Sequence, residues 1–391
     1  MESTCSELLG CCLRGERWPE DSLEDLLRRA LEIDEGRAFL SDVVERLGDL
    51  FEPRLCETYR ELFSQAVALV CPELTPRLKR GFSAAAAPPD VKRDASRVYV
   101  LSRVTLGADV AVTSVLLDAA KRRYPAAEIV FVAPRKNYEL FESDPRIHHV
   151  PSPYARSGTL GERLHASAAL WLEDGLVIDP DSRLTQLGII SVCPAGNYLF
   201  FESRSYGGEG MDRLPDLAAR WARQTLGVDC ARPYIAPLSS PELPVDITVS
   251  LGVGENPAKR IAGDFERELM RMVAATGASV LVDKGGSEEE GRRVESVLQP
   301  GMRTHEGSFA PFAAQISRSR LFIGYDSAAG HVASACGVPQ IAIMNGLASE
   351  RMLARWRPNG VIVRGDAPDP LEALRSALSK SRASTNASNP R

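Results

Sequence analysis

The sequence predicts an α/β protein: two doubly wound parallel-sheet domains preceded by an all-helical N-terminal appendage. Three observations carry this reading. The chain has 391 residues, more than one ordinary hydrophobic core holds. From Arg97 onward, short strands rich in β-branched residues alternate with amphipathic helices, the texture of parallel sheet and crossover helix. Four prolines, Pro233, Pro237, Pro241 and Pro244, then interrupt the alternation before it starts again.

The elements follow in order. Leu23, Leu26, Leu27 and Leu31, then Phe39, Val43, Val44 and Leu47, then Leu55, Tyr59, Leu62, Phe63 and Val67 recur at helical spacing, so 18–80 reads as a helical unit. Ser83-Ala-Ala-Ala-Ala-Pro-Pro-Asp90 reads as a linker. In the first α/β half, 98–102, 128–133 and 175–179 read as strands. Helices are expected at 110–123, after residue 179 and at 214–226. In the second half, strands are expected at 246–251, 278–283, 321–324 and 340–344, and helices at 265–275, 328–336 and 370–379, before a polar tail from Arg382. The expected divisions are therefore 1–90, 91–235 and 236–391.

Composition narrows the function. Net charge is −5, with 44% hydrophobic and 25% charged residues, an ordinary globular balance. The acid is concentrated in front: residues 1–90 carry eleven Lys/Arg against eighteen Asp/Glu, and the remainder is close to neutral. That leaves no basic footprint for nucleic acid. No apolar run reaches the ~18 residues of a membrane span, and the first residues lack a basic-then-apolar leader pattern. The expectation is a cytoplasmic protein, or one peripheral at the inner face of a membrane. The eight cysteines form no C-x-x-C pair and no Cys/His zinc spacing, so reduced thiols and no metal site are expected.

The residues that carry chemistry cluster in Leu321-Phe-Ile-Gly-Tyr-Asp-Ser-Ala-Ala-Gly-His-Val-Ala-Ser-Ala-Cys-Gly-Val-Pro339. A strand ends near Gly324, and Ser327, Ala328 and Ala329 open a helix. Small side chains there let a phosphate reach backbone N–H groups at the positive end of the helix dipole. Asp326 and Ser327 stand where a cap or a ligand contact would, and His331 lies in the first turn. The same residues equally suit a packed strand–turn–helix with Asp326 as a plain cap.

This block resembles the signature of glycosyltransferase family 9, Asp-Ser/Thr-Gly-x-x-His followed by a small-residue helix and Gly-Val-Pro. Ala328 stands where that family has Gly. Phe309-Ala-Pro-Phe-Ala-Ala-Gln-Ile-Ser-Arg-Ser-Arg320 resembles its preceding helix, and Leu106-Gly-Ala-Asp-Val through Arg123-Tyr-Pro125 resembles its Leu-Gly-Asp-Val opening. The resemblance covers about residues 97–380. It implies two Rossmann-like domains of the glycosyltransferase-B architecture. The implied activity is metal-independent, inverting transfer of a sugar, a heptose, from a nucleoside-diphosphate donor such as ADP-heptose. No cofactor is implied.

By the same resemblance Asp109 is the catalytic base, although Ala108 intervenes after Gly107, so that the loop is one residue longer or the glycine has shifted. Lys259, in Gly252-Val-Gly-Glu-Asn-Pro-Ala-Lys259, would meet the donor diphosphate beside Asp326, Ser327, Ala328, Ala329 and His331. Glu288 would contact the donor's ribose. Arg103 and Arg183 would meet an anionic glycan, lipopolysaccharide-core or protein acceptor. The helical front is left for a protein partner or a dimer contact. A UDP- or GDP-sugar transferase and a non-catalytic nucleotide-sugar scaffold are the competing readings; a nucleotide-sugar epimerase would need further acid/base groups that the sequence does not offer.

Overall fold

The computed structural model describes residues 4–16, 20–78, 94–152, 154, 157–239, 243–254, 256–347 and 349–387. The expected linker Ser83–Asp90 lies outside them. The front of the chain is helical: α1 (Thr4–Arg14), α2 (Glu20–Glu32), α3 (37–49) and α4 (Pro53–Val70). Their apolar faces, including Leu27, Phe39, Val43, Leu47, Tyr59, Phe63 and Val67, meet in one core. That core also takes in Leu160, Leu164, Ile189 and Ile190 of the following α/β domain, so the unit is docked rather than tethered.

The first sheet is parallel throughout, in the order β3-β2-β1-β4-β5. Its strands are β1 (Arg97–Leu101), β2 (Glu128–Ala133), β3 (Ile147–Pro151), β4 (Leu176–Asp179) and β5 (Tyr198–Phe200). Around it lie α5 (106–123), the short α6 (Arg135–Tyr138), α7 (Leu160–Ala169) and α8 (Leu214–Leu226). α8 begins with proline at its second position and stops at Gly227 in the left-handed region, the two ends its sequence advertises.

The second sheet is also parallel, ordered β11-β10-β9-β6-β7-β8. Its strands are β6 (Ile247–Ser250), β7 (Val280–Asp283), β8 (Arg303–His305), β9 (Leu321–Tyr325), β10 (Gln340–Met344) and β11 (Val361–Arg364). Its helices are α9 (Phe265–Ala274), α10 (Glu288–Glu295), α11 (Phe309–Ile316), α12 (Ala328–Ala335), α13 (Glu350–Trp356) and α14 (Pro370–Ala387). Both sheets reverse strand order beside their first strand, the switch point where such sheets bind ligands. The α/β class, the two parallel sheets and the helical front are as expected.

Two local expectations fail. No α-helix follows β4; the chain makes a 3₁₀ turn, Arg183–Thr185, and passes through left-handed φ at Asp181, Gln186, Leu187 and Gly188. Asp179 holds this loop by accepting from Ser182 N at 2.7 Å, Thr185 Oγ1 at 2.6 Å and Tyr198 OH at 2.5 Å. The C-terminal helix also outruns its expected end, reaching Ala387.

The docking of the helical unit rests on a close approach. Gly36 has φ +80°, and a Cβ there would lie 2.8 Å from Leu160 Cβ. Gly36→Ala is expected to cost about 2–4 kcal/mol, combining backbone strain with a clash. Gly227→Ala, with φ +69° but open space around it, should cost only about 1 kcal/mol. Urea unfolding of the two variants separates the terms, and equal losses would remove the clash from the account.

Candidate functional site

The second domain assembles its part of the site where β6 and β9 end side by side. Gly324 is required by the packing itself, since a Cβ there would lie 2.6 Å from Ser250 O of the neighbouring strand. After β9, Asp326 N donates to Ile343 O at 3.0 Å, extending the pairing with β10 up to the start of α12. Lys259 arrives from the opposite loop. Its 3₁₀ turn, Pro257–Lys259, is capped by Asn256 Oδ1 accepting from Ala258 N at 3.1 Å. Asn345 Nδ2 then pins the turn by donating to Ala258 O at 2.9 Å and Arg260 O at 3.0 Å.

The result is an ion pair at the head of α12: Lys259 Nζ lies 2.6 Å from Asp326 Oδ2 and donates to Asp326 O at 3.2 Å. His331, one turn into α12, is buried and set edge-on to Trp356, with centroids 5.7 Å apart. Burial lowers its pKa, the Asp326 charge opposes that and Lys259 adds to it. Ser327 is extended, and its Oγ is buried with no hydrogen-bond partner among the described residues. Lys259, Asp326, Ser327, Ala328, Ala329 and His331 therefore form one cluster. Glu288 stands apart on the first turn of α10, its side chain 92% exposed and 3.4 Å from Arg292. It borders an open depression at the carboxyl ends of β7 and β8, lined by Lys284, Gly285, Gly286, Ser287, Glu306 and Gly307.

The first domain meets this cluster through the head of α5. A Cβ on Gly107 would lie 3.1 Å from His331 Cδ2 and 3.3 Å from Ala328 Cα. Behind it the helix takes a π-turn over Asp109–Thr113, with Ser114 N–H reaching back to Asp109 O. A π-turn is how a helix absorbs one inserted residue. Ala108, the residue between Gly107 and Asp109, lies in the first turn of the helix, directly ahead of this π-turn. Each residue turns the helix by about 100°, and the side chains either side of such an insertion face differently.

Asp109 is accordingly enclosed, with 0% exposure. Its Oδ1 accepts from Arg103 N at 2.7 Å and Thr113 Oγ1 at 2.6 Å; its Oδ2 accepts from Ser102 Oγ and Asn137 Nδ2, both at 2.6 Å. Burial raises the carboxyl above its usual range against these four bonds, each of which favours the charged form. Ser102 Oγ in turn accepts from Val104 N at 2.8 Å, and Val104 holds φ +70°, a strained value for a β-branched residue. In this arrangement Asp109 anchors the 102–104 loop.

Arg103 and Arg183 are already engaged. Arg103 Nη1 donates to Pro180 O at 2.6 Å and to Ser203 Oγ, and burial, reinforced by the Arg204 charge, pushes its pKa down to about 10. Arg183 pairs with Glu45 of α3 at 2.7 Å. Beside them Arg60 of α4 pairs with Glu202, and Arg204 pairs with Asp181 at 2.8 Å. Burial alone would raise the Asp181 carboxyl; Arg204, Arg103 and Arg60 overcome it and hold it low. Gly48 lies directly on Arg204, whose Cδ would be 2.7 Å from a Cβ there. Phe51, 1% exposed and at φ +55°, joins the core shared by both sheets. From the second domain Arg351 reaches Phe51 O at 3.5 Å and Glu209 at 3.1 Å. The helical unit thus covers the carboxyl-end face of the first sheet. Sequence reading missed Glu45, Gly48, Phe51 and Asn137, because only the tertiary arrangement gives them partners.

Residues 253–373 match the sequence model of glycosyltransferase family 9 (heptosyltransferase). The family-9 resemblance holds. The fold agrees with that of the Escherichia coli heptosyltransferase WaaC solved with ADP-2-deoxy-2-fluoro heptose, at a TM-score of 0.54 and 14% identity, over 74% of this chain and 99% of that one. A family 9 glycosyltransferase from Veillonella parvula gives 0.53 and 16%, over 75% and 98%. Escherichia coli ADP-heptose LPS heptosyltransferase II gives 0.50 and 17%, over 73% and 99%. No curated protein sequence matches the chain. Family match and glycosyltransferase-B fold together support a glycosyltransferase. Among the described residues no helix is long and apolar enough to cross a membrane.

The buried His331 gives the second domain a pH signature. Its folded pKa lies below the unfolded value, so below about pH 6.5 the unfolded chain binds the extra proton and stability falls with pH. His331→Gln should remove this part of the acid loss while leaving the rest. Denaturant midpoints between pH 7.5 and 5 check it; parallel curves for both proteins would place the acid loss elsewhere.

Proposed function

We propose that the chain transfers a sugar from a nucleoside-diphosphate donor, the diphosphate being held by Lys259 and the 326–331 turn. The observation that carries this is the Lys259–Asp326 pair at the head of α12, opposite Gly107. An ammonium and a helix N-terminus aim at one spot, and the Asp326 carboxylate occupies the ammonium as an anion would. A diphosphate arriving there shares Lys259, while backbone N–H groups of α12 and the Ser327 hydroxyl offer donors. As the sugar leaves the donor, negative charge gathers on the diphosphate, and these fixed cationic and dipolar groups stabilise it without a metal. The nucleoside lies toward the depression at β7 and β8, within reach of Glu288.

ADP-heptose is the donor this reading favours, since the WaaC structure that shares the fold holds an ADP-heptose analogue. UDP- and GDP-sugars remain the competing donors, with Ala328 placing a methyl beside the cluster. The acceptor is a glycan, a lipopolysaccharide core or a protein. Asp109 is the residue the resemblance assigns as general base, and to act on an acceptor hydroxyl its carboxylate has to exchange one of its four donors for that hydroxyl. Its enclosure favours a second reading, a nucleotide-sugar-binding scaffold.

Calorimetric titration with ADP, UDP and GDP, with and without EDTA, tests the proposal. Selective ADP binding that survives EDTA is expected, and Lys259→Ala should weaken it about tenfold or more. Unchanged affinity in that variant would reduce Lys259 to a structural charge. Asp109→Asn, which keeps the carboxylate's shape, should leave ADP affinity within about twofold and cut turnover about a hundredfold or more. Donor binding with no turnover in the unaltered protein would decide for the scaffold.

A further inference from the structure

Three metal-binding side chains, two from one turn and one from a distant helix, meet where the helical unit joins the first sheet's domain. Cys71 closes α4, its N–H donating to Val67 O at 2.8 Å. Glu73 follows in the 3₁₀ turn Pro72–Arg77, and His165 projects from α7. Their ligand atoms, a sulfur, a carboxylate oxygen and an imidazole nitrogen, lie within 4.8 Å of one another. His165 Nε2 is 3.5 Å from Glu73 Oε1.

The histidine is oriented for this. Its Nδ1 lies 2.7 Å from Gly161 O, and a carbonyl oxygen only accepts, so Nδ1 carries the proton. In the neutral ring Nε2 is then a bare lone pair facing Glu73. Metal-bound histidines show the same outer bond, with the second ring N–H given to a backbone carbonyl. With zinc–ligand bonds of about 2.0–2.3 Å, a tetrahedral site has ligand separations of about 3.3–3.7 Å. The His165–Glu73 edge already has that length, and the sulfur lies within 4.8 Å of both partners.

We propose that Cys71, Glu73 and His165 form a zinc site that clips the helical unit to the first α/β domain. Thiolate and imidazole together select zinc over magnesium or calcium. One thiolate and one carboxylate neutralise the divalent charge, and on binding the Cys71 proton passes to solvent. His165 and Glu73 side chains are 67% and 59% exposed, so the ion enters from solvent and water completes its coordination. The joint is preformed: Arg77 donates to Leu170 O at 3.2 Å and Ser191 O at 3.1 Å, and Leu78 pairs with Ile190. Little chain ordering remains for the metal to impose. This site is independent of the donor cluster.

The test uses full-length protein stripped with chelator and titrated with Zn²⁺, with Co²⁺ as a spectroscopic probe. One equivalent should bind with Kd below about 1 μM, raise the thermal midpoint, and give thiolate-to-cobalt absorption. His165→Gln and Cys71→Ser should each weaken binding at least about tenfold, since even outer-shell losses cost that much. His165 is exposed, so its variant keeps the fold, which circular dichroism verifies. No binding tighter than about 1 μM, or equal binding in both variants, overturns the site. Cobalt bound without the thiolate band overturns the role of Cys71. A His165–Glu73 ion pair alone would give no zinc stoichiometry at all.

Discussion

The arrangement depends on one close contact, the head of α5 against the head of α12. Gly107 brings the backbone of one helix to within van der Waals reach of Ala328 and His331 in the other. Behind it Val110, Ala111, Ala329, Val332 and Ala333 share a single core that runs across both sheets. Small residues on both sides set the distance, because a β-branched residue at 107 would collide with the His331 ring.

A second constraint is electrostatic. The loops after β1, β4 and β5 bring Arg103, Arg183 and Arg204 to the carboxyl end of the first sheet, with Asp181 between them. The acidic helical unit supplies Glu45 to this group and contributes Arg60 to Glu202. Partly buried charges of this kind are costly to strand, so removing one partner is far worse than the net worth of the pair. The helical unit thus supplies both an anion and a cation to this face, each set against a partner of opposite charge.

How much of this was legible in the sequence varies with the range of the interactions. The second domain's cluster was readable because strand, turn and helix lie within one contiguous motif, and Lys259 sits at a fixed distance after β6. The first domain was harder. A one-residue insertion is visible as Ala108, but whether it lengthens a loop or becomes a π-turn depends on what Asp109 can bond, and Asn137 is 28 residues away. The four edge strands, β3, β5, β8 and β11, were all missed: β3 and β8 carry His148-His149 and Arg303-Thr304 in place of an apolar run, and β5 and β11 are only three and four residues long. The docking surface of the helical unit was invisible for the same reason in stronger form: Gly36 and Gly48 announce flexibility in sequence and turn out to mark close approach.

Backbone strain points to the same end of the first sheet. Phe51, Val104, Asp181, Gln186 and Leu187 all adopt positive φ, and each such residue costs on the order of 1–3 kcal/mol. These residues come from three separate segments, yet each flanks a loop or contact described at that face. Strain of this kind persists only where surrounding bonds over-determine it. Here Asp109 does so for Val104 through Ser102, and Thr185 Oγ1 does so for the 186–188 run by accepting from Gly188 N at 2.9 Å. The second domain, by contrast, places its positive φ values at glycines such as Gly254 and Gly285. The second domain is thus built from relaxed turns around the Lys259–Asp326 ion pair. The facing half is held under tension by buried hydrogen bonds, so a change in what Asp109 accepts would be felt first in the 102–104 loop, at the interface between the two domains.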